Sequence, residues 1–210
     1  MNRLAILGAS GHGKVVAETA ELSGWEFIDF FDDVYPRITE IGKWSVIGTS
    51  WDLLSRKSEY CSAHVAIGNN AIREEKTNLL YDFKLASIIH PSALISPSVK
   101  LGPGICVLGG SVINAYSSIG KGVVINTGAS VDHDCYLHNF VHISPGVNLA
   151  GEVIIGERSW IGIGSCVIQC LSIGKDVVVG AGSVVINDTE SSVLVAGVPG
   201  KIKKIFKELQ

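Results

Sequence analysis

The chain is poor in the features that mark several large functional classes. Lys and Arg number 17 against 20 Asp and Glu, and a formal net charge of −3 provides no basic footprint for nucleic acid. Five cysteines (Cys61, Cys106, Cys135, Cys166, Cys170) include no C-x-x-C pair. An odd count without framework spacing reads as reduced thiols of a cytoplasmic protein. No stretch is long and apolar enough to insert in a bilayer, and the opening run Leu4-Ala5-Ile6-Leu7 is too short for a signal peptide. Histidine is scarce, six in all, so a cluster of histidines stands out. What remains is a globular composition, 47% apolar and 18% charged over 210 residues with 24 glycines, enough for one large domain or two small ones.

From Ile89 onward an aliphatic residue recurs every six positions. Ile89, Ile95, Leu101, Val107, Ile113, Ile119, Ile125, Val131, Leu137, Ile143, Leu149, Ile155, Ile161, Val167, Ile173, Val179 and Val185 hold this register, and it first fails at Ser191. The residue after each is often small or turn-forming, and the fourth after it is small or aliphatic. A period of six matches neither a helix nor an alternating strand. It fits a stacked parallel β-helix in which each hexad makes one flat side and a corner. At three hexads per coil the prism has five to six coils and is roughly 25 Å tall. Each coil needs a neighbour to bury its apolar side, so both ends need covering. The preceding domain is one expected cap. The tail from Pro199 to Lys207, read as a short amphipathic helix, is the other.

Residues 1–87 carry a different pattern. Leu4–Leu7 reads as a buried strand, Gly8-Ala9-Ser10-Gly11-His12-Gly13 as a tight turn, and Lys14–Glu21 as a helix ending at Gly24. Glu26–Phe31 and His64–Ile67 read as further strands, Ser50–Lys57 as a short helix and Ala71–Phe83 as a polar helix. Strand, glycine-rich turn and helix present backbone N–H groups and a helix N-terminus to a phosphate. Asp32-Asp33 ends the second strand, where nucleotide folds place a ribose-binding carboxylate. Gly68-Asn69-Asn70 closes another. The glycine order is G-x-x-G-x-G rather than the dinucleotide order. The domain is also about half the usual dinucleotide-binding size, so a single nucleotide or a nucleotide-sugar diphosphate is the expected ligand. A tight turn without a ligand is the plain alternative, and His12 reads equally as a phosphate donor or an exposed loop residue.

Inside the repeat, Val131 to His142 is polar where its neighbours are apolar. Val131, Leu137 and Cys135 keep the inward register, so Cys135 is expected in the core rather than as a nucleophile. His133, two after Val131, points outward, and His142 falls at a corner. Three chemistries fit His133, His138, His142 and the neighbouring acids. One is a general base whose tautomer is fixed by a carboxylate. The second is a metal site, which needs the three histidines to converge. The third is a merely polar face.

Taken together, these motifs resemble the hexapeptide-repeat acyltransferases, and within them the bacterial nucleotide-sugar acetyltransferases. That sub-family includes UDP-4-amino-sugar N-acetyltransferases of the bacillosamine type, perosamine N-acetyltransferases and sialic acid O-acetyltransferases. The resemblance implies an α/β + β fold class: a small Rossmann-like βαβ domain (1–87), a left-handed parallel β-helix (88–190) and a C-terminal loop with a short helix (191–210). It implies His133 as catalytic base with Asp134, where the family often has Glu, as its partner, Asp132 being the rival for that place. His142, Gly151, Ile163, Ala181 and Lys201 match acetyl-CoA contacts, Gly151 through an N–H facing the thioester carbonyl and Lys201 toward coenzyme phosphates. Ser10, Gly11 and His12 match the diphosphate region, and Asp32, Asp33 and Gly68 the surroundings of the uridine.

The implied reaction is direct transfer from acetyl-CoA to the 4-amino group of a UDP-linked sugar of the UDP-2-acetamido-4-amino-2,4,6-trideoxyhexose type. It needs no metal and takes place in a homotrimer with active sites between subunits. The rivals are O-acetylation of a sialic-acid-like sugar, N-acetylation of a GDP- or dTDP-linked amino sugar, and a zinc hydratase on the same prism. For the hydratase His133 and His138 are correctly spaced, but Pro97 stands where the third ligand belongs.

Overall fold

The structure, a computed structural model, describes residues 2–206. The chain divides into two compact units, Met1–Pro91 and Ser92–Gln210. The division lies a little past the expected change of pattern at 87/88. Ile88 is fully buried, and the Ser23 hydroxyl donates to the Ile89 carbonyl at 2.7 Å.

The first unit is built on three parallel strands, β1 (Arg3–Leu7), β2 (Phe27–Phe31) and, further along the chain, Ser62–Val65. β1 lies in the middle, with β2 on one side and Ser62–Val65 on the other. The chain reverses its direction of travel across the sheet at β1, so the carboxyl end of β1 is a switch point, where ligands of such sheets bind. Helix α1 (Gly11–Leu22) lays Val16, Ala17 and Ala20 against the sheet. A short hairpin, β3 (Glu40–Ile41) and β4 (Trp44–Ser45), leads into α2 (Ser50–Ser55). A capping box starts α2: the Thr49 side chain accepts from Asp52 N, and the Asp52 carboxylate accepts from Thr49 N. The strand Ser62–Val65, β5, is followed by α3 (Asn70–Leu79). On the other face Leu7, Phe31, Leu53, Tyr60, Val65, Leu80 and Phe83 form one core.

Two glycines set the approach of α1 to β1. Gly8 has φ +115°, and a side chain there would meet the Ala66 carbonyl at 2.8 Å. A Cβ on Gly13 would lie 2.4 Å from the Gly8 carbonyl. Neither position has room for a side chain, so helix and strand pack backbone to backbone.

The second unit is a parallel β-helix of two-residue strands. Val112–Ile113 pairs with Ser130–Val131, and that with Asn148–Leu149. Tyr136–Leu137 pairs with Ile154–Ile155, and His142–Ile143 with Trp160–Ile161. Each partner lies eighteen residues further on, which is three hexads per coil. Every inward hexad position from Val107 to Val185 is buried, whereas Leu101 in the opening coil is 39% exposed. An end coil has a neighbour of its own kind on one side only.

Between the aliphatic columns run buried serines that bond to the next coil. Ser117 Oγ donates to Asp132 O at 2.7 Å, Ser159 Oγ to Gly174 O at 2.7 Å and Ser165 Oγ to Gly180 O at 2.9 Å. These hydroxyls satisfy carbonyls that turn inward at the corners.

The tail corrects one expectation. Lys201–Ile205 is a strand, not a helix, and runs antiparallel to Val193–Ala196. Val193–Ala196 closes the last coil and leaves an open edge. Gly197, at φ +107°, turns the chain back so that the tail fills that edge with backbone hydrogen bonds. Pairing of that edge outweighs the helical spacing of Ile202 and Ile205. Residues 207–210 lie outside the described residues. No described helix is long and apolar enough to cross a membrane.

Candidate active site

The sequence places His133 outward, and the structure puts it at a corner with its side chain 53% exposed. Its Nδ1 lies 2.9 Å from Asp134 Oδ2. A nitrogen facing a carboxylate carries the proton, so the other nitrogen, Nε2, holds the lone pair. Nε2 makes no hydrogen bond among the described residues. Asp134 reaches its place from a left-handed corner, φ 57°, a conformation aspartate tolerates better than most residues. The Asp134 hydrogen bond, and after it the charges of Asp132, Asp134 and Glu152, raise the His133 pKa above its ordinary 6.5.

Gly151 stands one coil above His133. A Cβ there would fall 2.6 Å from both Cε1 and Nε2 of the imidazole, so the ring occupies the space that a side chain would fill. The Gly151 N–H has no hydrogen-bond partner among the described residues, while its carbonyl accepts from Cys170 N at 3.0 Å. The corner thus holds an acceptor nitrogen and a free backbone donor close together. Asp132 does not touch the ring; its Oδ1 accepts from the His133 backbone N–H at 2.9 Å.

His142, Ile163 and Ala181 gather in a second cluster, a groove of about 470 Å³ along the sheet containing His142–Ile143. His142 lies in a strand rather than at a corner and is buried at 6% exposure. Its ring stacks on Trp160, centroids 5.2 Å apart and planes 4° from parallel. Trp160 Nε1 donates to Ser144 Oγ at 2.7 Å, and His142 Nε2 faces the Asn126 amide at 3.3 Å. The groove is mostly apolar with a few polar groups, which suits a pantetheine arm. Trp160, Ser144 and Asn126 were not singled out from the sequence. Trp160 follows His142 by eighteen residues, so the coil arithmetic could have found it. Lys201 is exposed at the start of the tail strand and is not among the residues lining the groove.

In the first unit, Ser10 is the N-cap residue of α1, with extended backbone and no capping bond from its side chain. Gly11 and His12 lie inside the first helical turn, which carries no acidic residue. This helix end is open to an anion. Asp32 is more occupied than expected: its two oxygens accept from Ala9 N at 2.7 Å and Val34 N at 3.0 Å. Asp33 accepts from Ser50 N at 2.9 Å and pairs with Lys76 at 2.8 Å. Partial burial works against its charge, but Lys76 and Ser50 hold its carboxyl below the ordinary value. Gly68 faces open space, and the buried Arg73 guanidinium donates to its carbonyl at 3.1 Å.

Cys135 is core, 1% exposed, and its burial raises the thiol pKa, which removes it as a nucleophile. His138 packs edge-on against Tyr136, centroids 4.6 Å apart. Among the described residues no group of three His, Cys, Asp or Glu side chains is arranged to hold a metal ion.

Comparison with known proteins shows the family. Residues 3–80 match the family described as PglD N-terminal domain. The chain is 26% identical over 192 residues to GDP-perosamine N-acetyltransferase of Escherichia coli O157:H7, covering 87% of this chain and 85% of the relative. It is 41% identical to PerB from Caulobacter crescentus, solved in complex with CoA and GDP-perosamine, with a TM-score of 0.92 over 97% of this chain and 98% of that one. It is 44% identical to the acetyltransferase domain of PglB from Neisseria gonorrhoeae, solved in complex with acetyl coenzyme A, with a TM-score of 0.91 over 96% and 98%. These likenesses span the Rossmann-like unit and the left-handed β-helix alike. The chain belongs to the hexapeptide-repeat nucleotide-sugar acetyltransferases and is an acetyl-CoA-dependent acetyltransferase.

Proposed function

We propose that the protein transfers the acetyl group of acetyl-CoA to the 4-amino group of a UDP-linked amino sugar, the 2-acetamido-4-amino-2,4,6-trideoxyhexose type, with His133 as general base. One observation carries this reading. His133 is held by Asp134 at 2.9 Å with Nε2 available, beside a Gly151 N–H that has no partner among the described residues. Acetyl-CoA, when bound, supplies the acyl group as a thioester, and the groove along His142, Trp160, Ile163 and Ala181 fits its arm. Lys201, on the exposed tail, meets the coenzyme phosphates.

The sugar's amine attacks as the neutral base. His133 Nε2 takes the proton from the attacking nitrogen as the N–C bond forms, and Asp134 stabilises the imidazolium. The Gly151 N–H donates to the carbonyl oxygen as negative charge gathers there. When the C–S bond breaks, the imidazolium returns the proton to the leaving sulfur, and the base is restored. No acyl-enzyme forms, because the nearby Cys135 is buried and its thiol is not activated.

The first unit anchors the nucleotide sugar. The diphosphate sits at the N-terminus of α1, met by Ser10, Gly11 and His12. Asp32, Asp33 and Gly68 surround the nucleoside; each carboxylate has acceptor capacity beyond the two bonds it already makes. Holding the sugar by its nucleotide supplies orientation for the attack. The active protein is a homotrimer in which a neighbouring prism completes the wall beside His133, since a single corner exposes the imidazole to water. A cytoplasmic location matches both substrates. A second reading has support of its own: the Caulobacter relative was solved with GDP-perosamine, which favours a GDP-linked 4-amino sugar.

The test is thiol release from acetyl-CoA against a panel of UDP-, dTDP- and GDP-linked 4-amino sugars, with sialic acid included. Turnover with the UDP-linked sugar well above the others bears the proposal out. Preference for the GDP sugar moves it to the second reading, and turnover of sialic acid alone overturns N-acetylation.

A further inference from the structure

The carboxylate that touches the imidazole is not the only one holding it in place. Asp132 precedes His133 and is tied to the coils on both sides. Its Oδ1 accepts from the Asn114 side-chain amide at 2.9 Å as well as from the His133 N–H at 2.9 Å. Its carbonyl accepts from the buried Ser117 hydroxyl at 2.7 Å, and its N–H donates to Leu149 O at 3.0 Å. The His133 carbonyl in turn accepts from Glu152 N at 2.9 Å.

Asn114 stands one coil below Asp132 in the same column. Its backbone is already fixed by the ladder, through the bond from its N–H to Val131 O at 2.9 Å. The side chain is exposed. Water competes for an exposed amide–carboxylate bond, so this one adds little to folding. What the bond does is fix the Asp132 carboxylate, which in turn fixes the peptide carrying the imidazole. The His133 ring has to stay in the space beside Gly151 with Nδ1 on Asp134, and a small rotation of its peptide would break both relations.

We propose that Asn114 is a positioning residue for the acetyl transfer, holding the His133 peptide through Asp132, while Asp134 holds the ring. This rests on the reading of His133 as the base. The two carboxylates then have separate tasks. Asp134 sets the tautomer, and Asp132 sets the backbone while adding its negative charge to the field at His133. The charged groups facing the imidazole are Asp132, Asp134 and Glu152. Loss of the Asp132 charge alone therefore makes His133 less basic.

The experiment compares the wild-type protein with Asn114→Ala, Asp132→Asn and, as control, His133→Ala. It records kcat and KM for both substrates, the pH dependence of kcat/KM, and the melting temperature. Asn114→Ala is expected to lose about tenfold to a hundredfold in kcat, with both KM values and the melting temperature unchanged. Asp132→Asn retains an oxygen for the same two donors but lacks the charge. Its acid limb is expected to move to lower pH. Wild-type kcat in Asn114→Ala, or a raised sugar KM with kcat intact, overturns the proposal; the latter makes Asn114 a substrate contact. An unshifted profile in Asp132→Asn removes Asp132 from the account. Full rate in His133→Ala defeats the base assignment itself, which separates the two failures.

Discussion

Gly151 matters to the site through what it lacks. The imidazole of His133 rests where a Gly151 side chain would be, 2.6 Å from the position of its Cβ. That distance is far inside van der Waals contact, and the ring is the softer partner. Gly151→Ala is therefore expected to rotate His133 off Asp134 and to lower kcat about a hundredfold. Its melting temperature stays within a few degrees of wild type, because the corner faces solvent. Thiol release and a thermal melt check this, and wild-type kcat would show that the ring does not need the space. At this scale the sequence was informative where the hexad register applied. It sent Cys135 inward and His133 outward, and both lie there. It was less informative for Asp32, whose carboxylate turns out to hold the Ala9 and Val34 amides. A ribose contact and a turn tether call for the same residue at the same place, so the pattern could not separate them.

The coil is the element that makes such columns. Residues eighteen apart stack, so Asn114 meets Asp132 and His142 meets Trp160. The six-residue beat showed the inward positions directly, because burial selects aliphatic residues. The outward columns carry no such selection and stay hidden until the coil length is counted off. The tail was misread for a related reason. Ile202 and Ile205 have helical spacing, and only the open edge of Val193–Ala196 makes the strand the better structure.

The strand β5 carries a prediction of its own. His64 is 1% exposed with Nδ1 2.9 Å from the Ala86 carbonyl, and burial pushes its pKa down to about 4. The folded state therefore binds this proton less readily than the unfolded chain, whose histidine titrates near 6.5. The stability contribution is present above pH 6.5 and is lost as the pH falls toward 4. Thermal melts across this window should show a falling midpoint in the wild type and a flatter one in His64→Gln. Equal slopes would mean that other groups carry the acid sensitivity.

At the scale of the whole molecule, the two units divide the work proposed here, one holding a nucleotide and one carrying the transfer. The hexad count, the glycine-rich turn after the first strand and the outward place of His133 could all be read from the residues, whereas the strand order that makes β1 a switch point could not. The groove beside His142 was legible only in part: the family resemblance supplied Ile163 and Ala181, while Trp160 and Pro145 come from separate coils and enter only when the coil length is counted off. The proposed trimer follows from an exposed corner that needs a second wall. Sedimentation equilibrium should give three times the 22.3 kDa chain mass, and a single-chain mass at working concentration would remove the neighbour from the site.

All of this depends on His133 acting as the base. The direct measurement is turnover of His133→Ala with acetyl-CoA and the preferred amino sugar, alongside calorimetric binding of acetyl-CoA to the same variant. Removal of a general base costs on the order of a hundredfold or more. The account predicts at least that loss with acetyl-CoA affinity unchanged, and a variant that turns over at the wild-type rate would contradict it.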